Sequence, residues 1–432
     1  MEISRRVFVS SAAVVSSLAA ATAGQSAIKP DGKRDQSAAL QAAIDAAAGG
    51  ALHLPAGIYR AGGLRITRPL HLSGVRGATK IIGTGALPLL SVQDATHVTV
   101  AGLGFDGGDA TGDGEGLIIA ARADALVVED CDIGNSAVSG IVLRECSGRV
   151  SNNAVSNVAS TGIFAFDSKG LEIAGNRVSD IGNNAIQVWT SERREDGTLV
   201  HGNRIERVAA KDGGSGQNGN GITVFRAGNV TVSNNRISDC VYSAVRDNSG
   251  SNCQIIGNSC SRLGETALYV EFAYEGAIVS NNIVEDASLG ISITNFNDGG
   301  RLVVVANNIL RRMLGPVADP ERRAIGIAAE ADTLITGNII EDAPYAGISL
   351  GWGPMTRNLT ALGNLIRNCG MGISVSVSDG IEGPYLIANN RIAGSAQGAI
   401  VGMNYLDVAT GDLTKTGAVV PRHISLQGNV VA

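Results

Sequence analysis

One column of asparagines constrains this chain more than any other feature. Aligned on itself, the sequence repeats the pattern apolar, x, apolar, x, x, Asn, x, apolar, as in Leu171-x-Ile173-x-x-Asn176-x-Val178 and Val230-x-Val232-x-x-Asn235-x-Ile237. The column runs Asn153, Asn176, Asn203, Asn235, Asn258, Asn282, Asn308, Asn338, Asn364, Asn390 and Asn429, at intervals of 23 to 39 residues. A period that varies in this way describes coils of one solenoid joined by loops of unequal length. Each coil also holds a second run that opens on Gly or Ala and then alternates, such as Gly162-Ile163-Phe164-Ala165 and Gly221-Ile222-Thr223-Val224. Period 2 marks these runs as strands.

Two solenoids share such a core. A leucine-rich repeat adds a Leu three positions upstream, where this chain has Ser168, Glu195, Ala227, Gly250, Tyr274, Gly300 and Glu330. The repeats also lack a helix-period stretch, and each carries three short strand-like runs between turn residues. The expected fold is therefore all-β, a right-handed parallel β-helix. Asn tolerates tight turns, and stacked Asn side chains hydrogen-bond from coil to coil, so the column is structural rather than a set of ligands.

Lys and Arg number 34 against 40 Asp and Glu, a net charge of -6, and aromatics are only 4% of residues. Basic stripes and stacking platforms are missing, which excludes nucleic acid as a partner. The six Cys fit core columns rather than a disulfide framework. Cys131 stands in the Asn column, Cys253 and Cys260 replace inward apolar residues, and Cys240 and Cys369 share a column several coils apart, beyond bonding distance. His53, His71, His97, His201 and His423 are scattered, so no metal and no cofactor are expected.

The N-terminus reads Ser4-Arg5-Arg6-Val7-Phe8-Val9, followed by an apolar run from Ala12 to Ala21 and by Ala21-Thr22-Ala23 before Gly24. Paired arginines, a short apolar region and an A-x-A site predict a twin-arginine signal peptide over 1–23, read by the twin-arginine translocation machinery. A periplasmic or secreted protein of bacterial origin is expected, with no membrane span after cleavage.

Residues 24–60 read as a cap and 61–432 as the repeats. The cap contains Asp31-Gly32-Lys33-Arg34-Asp35, a helical pattern with Leu40, Ala43, Ile44 and Ala47 on one face, and Leu52-x-Leu54-Pro55-x-Gly57-x-Tyr59. Such a helix would cover the open end of the solenoid. This series resembles the N-terminal cap of the pectin-lyase-like superfamily, and with the paired arginines and Asn repeats the whole chain resembles the twin-arginine-translocated repeat proteins. The resemblance implies the fold and no chemistry. The Gly-His-Gly, Arg-x-Lys and Asp-Pro-His-Glu patterns of polymer-cleaving relatives are missing here.

If Ile163, Ile186, Ile222 and Leu268 point inward, their neighbours form two outward columns. The first includes Val142, Phe164, Gln187, Thr223, Arg246 and Tyr269; the second includes Arg144, Phe166, Trp189, Phe225, Asn248 and Glu271. Phe164, Phe166, Trp189, Phe225 and Tyr269 thus make an apolar strip on an outer surface, with Gln187 and Asn248 beside it, suited to sugar rings. Loops at Glu206–Asn220 and Arg311–Arg323 are long enough to fold over it. Arg246, Asp247 and Glu271 are candidates for proton transfer beside a glycan, and equally for a surface ion-pair ladder. The expected function is the binding of a polysaccharide or an envelope component by this face. The alternative is a polysaccharide lyase or glycoside hydrolase acting there.

Overall fold

The computed structural model describes residues 28–432 apart from Asp113, Asn295 and residues 316–323. The expected signal peptide 1–23, the first residues of the cap and most of the second long loop lie outside the described residues. In the rest, each coil contributes three short strands, and each strand pairs in parallel with its equivalents in the coils before and after. Three sheets result. The first runs from Leu64–Ile66 to Gly398–Asn404, the second from Ala51–His53 to Ile424–Gln427, and the third from Asp31–Asp35 to Val430–Val431. One antiparallel strand pair is present among the described residues, where Asp407–Asp412 folds back on Gly398–Asn404. The chain is thus the parallel β-helix that period and turn residues predict.

Alternation fills the interior. Ile163, Ile186, Ile222 and Leu268 are fully buried, as are the second-sheet residues Ile173, Val200 and Val279. All six Cys are free and buried. The expected helix forms over Ser37–Ala46, burying Leu40 and Ile44 against the first coils. At its start the Asp35 carboxylate accepts the Ser37 backbone N–H at 2.8 Å, which serves an otherwise orphaned donor.

The Asn column lines the corner between the second and third sheets. From Asn153 to Asn429, each side-chain amide donates to the Oδ1 of the next Asn at 2.9 to 3.0 Å. Each Oδ1 also accepts the backbone N–H of the Asn one coil earlier. The second amide hydrogen goes to a backbone carbonyl, as from Asn258 to Val232 at 3.0 Å. From Asn176 to Asn390, four hydrogen bonds satisfy each buried amide completely. Cys131 heads the column and donates its backbone N–H to Asn153.

Tight-turn tolerance belongs to the residue before each ladder Asn. Asn152, Gly175, Gly202, Asn234, Gly257, Asn281 and Asn307 have φ between 55° and 70°, whereas the ladder residues do not enter that region. The paired sequence Asn-Asn or Gly-Asn therefore divides two tasks. Its first residue turns the chain through the left-handed region, where Gly and Asn are least strained, and its second aims its amide along the stack.

Asn258→Ala removes one rung and leaves buried donors and acceptors on Asn235, Asn282 and Val232. It is expected to cost about 3 kcal/mol or more in urea denaturation, because each orphaned buried group carries its own desolvation penalty. Asn429→Ala, at the partly exposed end of the ladder, is expected to cost less than about 1 kcal/mol.

Candidate functional site

Parallel register converts the two outward columns of the first sheet into physical neighbours. Val142, Phe164, Gln187, Thr223, Arg246, Tyr269 and Ser292 pair in that order, alongside Arg144, Phe166, Trp189, Phe225, Asn248 and Glu271. Phe164 meets Trp189 edge to face with centroids 5.5 Å apart, and Trp189 meets Phe225 at 5.6 Å. Phe166 tilts against Phe164 at 5.8 Å. All four rings are half-buried. The Trp189 indole N–H donates to Thr223 Oγ1 at 2.9 Å, which fixes the ring plane. Gln187 is buried and accepts the Thr161 hydroxyl at 2.8 Å. Arginines cover two of the rings: Arg144 lies over Phe166 at 5.2 Å and Arg226 over Phe225 at 4.7 Å. Arg144 is held by Glu115, and Arg226 donates to the Ser191 carbonyl.

A groove of about 410 Å³ opens beside these rings, with Phe164, Trp189 and Val142 as apolar lining and Glu115, Arg144 and Asp212 among its polar groups. Asp212 belongs to the loop between Val208 and Gly221. Its carboxylate accepts the Asn183 amide at 2.6 Å, and its backbone N–H donates to Asn183 Oδ1. The loop therefore forms a wall of the groove rather than a roof over the aromatic strip. A larger surface groove, about 650 Å³, lies at the corner toward the second sheet. Its arginines are already committed, Arg122 to Asp94 and Arg194 to Asp167, and no aromatic side chain lines it.

Farther along the same loop, the chain comes down on Arg246. Asn184 donates to the Gln217 carbonyl and Asn220 to the Gly216 carbonyl at 2.9 to 3.0 Å, while the Tyr242 hydroxyl donates to Gly214. Gly216 has φ 128°, and a Cβ there would stand 1.6 Å from an Arg246 terminal nitrogen, so glycine is required for this approach. Beneath it, Arg246 Nε donates to Glu271 at 2.6 Å, and its Nη1 lies 3.7 Å from Glu265. Asn248 donates to the same Glu271 oxygen, and the guanidinium sits 5.1 Å from the Tyr269 ring centre. Burial by itself pulls the Arg246 pKa down, but Glu271 and Glu265 outweigh it and hold the group above its ordinary value. Burial, followed by Glu271, pushes the Tyr269 phenol upward.

The structure brings Arg246, Glu271, Asn248 and Tyr269 together and separates Asp247 from them. Asp247 pairs with Val224 and Val270, so alternation turns it into the solenoid interior, where it is 1% exposed. It takes no part in the outer face. Burial pushes its pKa up to about 7, against a weaker downward pull from the Cys253 thiol and the Gly250 backbone N–H. Sequence reasoning missed Glu265, which stands two residues before Ala267, the small residue that opens its run, and so lies outside the two outward columns. It also missed how far the face is covered on later coils. Ser374, Ser376 and Met403 are buried there, Ser376 donates to the Gly353 carbonyl, and Trp352 meets Tyr405 edge to face at 5.5 Å. Among the described residues no three His, Cys, Asp or Glu are grouped to hold a metal ion.

Fold and site together define a parallel β-solenoid that presents an aromatic-walled groove on one sheet. The chain belongs to the right-handed β-helix family, whose model for the right handed beta helix region matches residues 90–205 and 193–355. No curated protein sequence matches it significantly. Among solved structures, a mannuronic acid specific polysaccharide family 6 lyase from human gut microbiota superposes with TM-score 0.51 at 12% identity, over 93% of this chain and 87% of that one. The surface adhesin PfbA of Streptococcus pneumoniae gives 0.47 at 18% identity, over 91% and 97%. At these identities the likeness is one of fold.

Asp247 generates a pH test. Its pKa is raised in the folded state, so the native protein holds the proton that the unfolded chain releases near pH 3.8. Its contribution is full below that value, is lost as pH rises toward about 7, and changes no further above it, a swing on the order of 4 kcal/mol. Asp247→Val, matching Val224 and Val270, is expected to raise stability at pH 8 and to flatten this part of the stability profile in denaturant titrations at several pH values.

Proposed function

We propose that this is an exported glycan-binding protein that lays its ligand along the outer face of the first sheet, in the groove walled by Phe164 and Trp189. The observation that carries the reading is the groove itself. Ordered rings line it together with carboxylate, amide and guanidinium groups, the mixture a sugar needs for its C–H faces and its hydroxyls. Trp189 is held by Thr223 before any ligand arrives, so binding freezes little additional side-chain freedom. The reading rests on these residues, because the fold by itself hosts many activities. Export by the twin-arginine route is supported by Arg5-Arg6, the short apolar run and Ala21-Thr22-Ala23, and it places the protein in the periplasm or outside the cell, where a polysaccharide or envelope component is its partner. No helix among the described residues is long and apolar enough to cross a membrane.

A second reading, a polysaccharide lyase or glycoside hydrolase, is favoured by one observation. Glu265 and Glu271 flank Arg246 on the same face, and two carboxylates beside a glycosidic bond can divide acid and base roles. In the present arrangement Glu271 is engaged by Arg246 and Asn248, and Gly216 closes over the guanidinium. A substrate would have to displace that loop, whereas the aromatic groove is already open. Binding is therefore the better-supported function.

A glycan array on the purified protein identifies a ligand, and calorimetry on the hit separates the readings. Trp189→Ala is expected to weaken binding at least about tenfold, because it removes the central ring. Arg246→Ala is expected to keep most of the affinity while lowering stability by about 3 kcal/mol, since two buried carboxylates lose their cation. If the glycan is instead cleaved, and Glu271→Gln slows cleavage by about 100-fold or more with binding intact, the enzymatic reading replaces this one.

A further inference from the structure

The outer corner between the second and third sheets changes character halfway along the solenoid. The first outward position of the third sheet holds Arg177, Arg204 and Arg236, then Ser259, then Ile283, Ile309, Ile339 and Leu365 in four consecutive coils, then Arg391. Around the corner, the second sheet places Ile278, Val304 and Leu334 on the outside of the same stretch. Ile283, Ile309 and Ile339 are 42%, 38% and 39% exposed. An arginine at such a position lays its stem on the sheet and keeps its charge in water, whereas a stacked aliphatic block leaves a contiguous apolar face, which soluble proteins rarely expose without a partner.

Two residues farther along each of these four strands stands a charge. The order is Glu285, Arg311, Glu341, Arg367, in register with Ile283, Ile309, Ile339, Leu365. Within the chain Arg311 pairs with Glu285 and Arg367 with Glu341. An alternating row of four has a symmetry property: reversed end to end, it sets every charge opposite its complement.

We propose that this face joins two copies of the chain across a two-fold axis that runs along the strands and passes between the coils of Ile309 and Ile339. Such an axis turns the two faces together, reverses the order of coils and keeps position along each strand. Ile309 then meets the partner's Ile339, and Ile283 meets the partner's Leu365. In the neighbouring row, Glu285 faces the partner's Arg367 and Arg311 faces the partner's Glu341. One operation satisfies both rows, and this complementarity of charge selects a second copy over any other occupant. Four coils at a strand spacing of about 4.8 Å give a patch about 19 Å long, which with similar width buries on the order of 800 Å² in total. That is at the low end for specific association, so the dimer forms and dissociates with concentration.

Sedimentation of the purified protein between about 1 and about 100 μM should show a reversible monomer–dimer equilibrium. Ile309→Lys should weaken it at least about tenfold with the melting temperature unchanged, because this column carries Arg in other coils. Arg311→Glu should weaken it as well, and adding Glu341→Arg should restore it, since Glu, Glu, Arg, Arg reversed is again complementary. Monomer at every concentration overturns the proposal. So does a dimer indifferent to Ile309→Lys, and a double variant that stays dissociated overturns the two-fold register.

Discussion

The asparagine ladder is the interaction on which the arrangement of the rest depends. A solenoid strand is specified only by its neighbours one coil away, and a slip of one residue would exchange its inner and outer faces. Between the two ends of the ladder, each amide bonds simultaneously to the coil before and the coil after, with all four of its hydrogen-bonding positions used inside an apolar corner, as at Asn258. A misplaced coil would leave several buried groups unpaired at once, so register errors are costly in proportion to the number of rungs. The loops can then vary in length without disturbing the stack, and the outer columns inherit the alignment of the inner one.

That alignment turns side chains distant in sequence into a surface. Phe164, Trp189 and Phe225 come from three successive coils and reach van der Waals contact because the strands beneath them are in register. The long loop after Val208 does two things on the same face. Through Asp212 it walls the aromatic groove, and through Gly216 it seals the ion-paired Arg246. An open, ring-lined section thus lies beside a closed, charged one. A ligand drawn to the first would abut the second, which is where any chemistry would have to occur.

Much of this is legible in the sequence, because period 2 and coil stacking are local rules with few exceptions. The order Phe164, Gln187, Thr223, Arg246, Tyr269 follows from aligning the repeats, and the register reproduces it residue by residue. The same rule, applied one residue further, turns Asp247 inward between Val224 and Val270, although in sequence it adjoins Arg246. What repeats cannot reveal is what their loops do. Asn184 and Asn220 sit in polar corner positions that read as turn residues, yet they are the anchors that hold Gln217 and Gly216 over the sheet. The pairing of Trp352 with Tyr405 likewise depends on a C-terminal hairpin that has no counterpart in the repeat.

The chain's two tryptophans allow the central claim to be tested optically, because one of them is the groove residue Trp189. Trp352→Phe leaves Trp189 as the sole indole, ordered against Phe164, Phe225 and Thr223. Titrating this variant with a glycan that the protein binds should give a saturable shift in emission, with the same midpoint as calorimetry. A glycan that binds with unchanged affinity and leaves the emission of Trp189 untouched would contradict the assignment of the groove as its site.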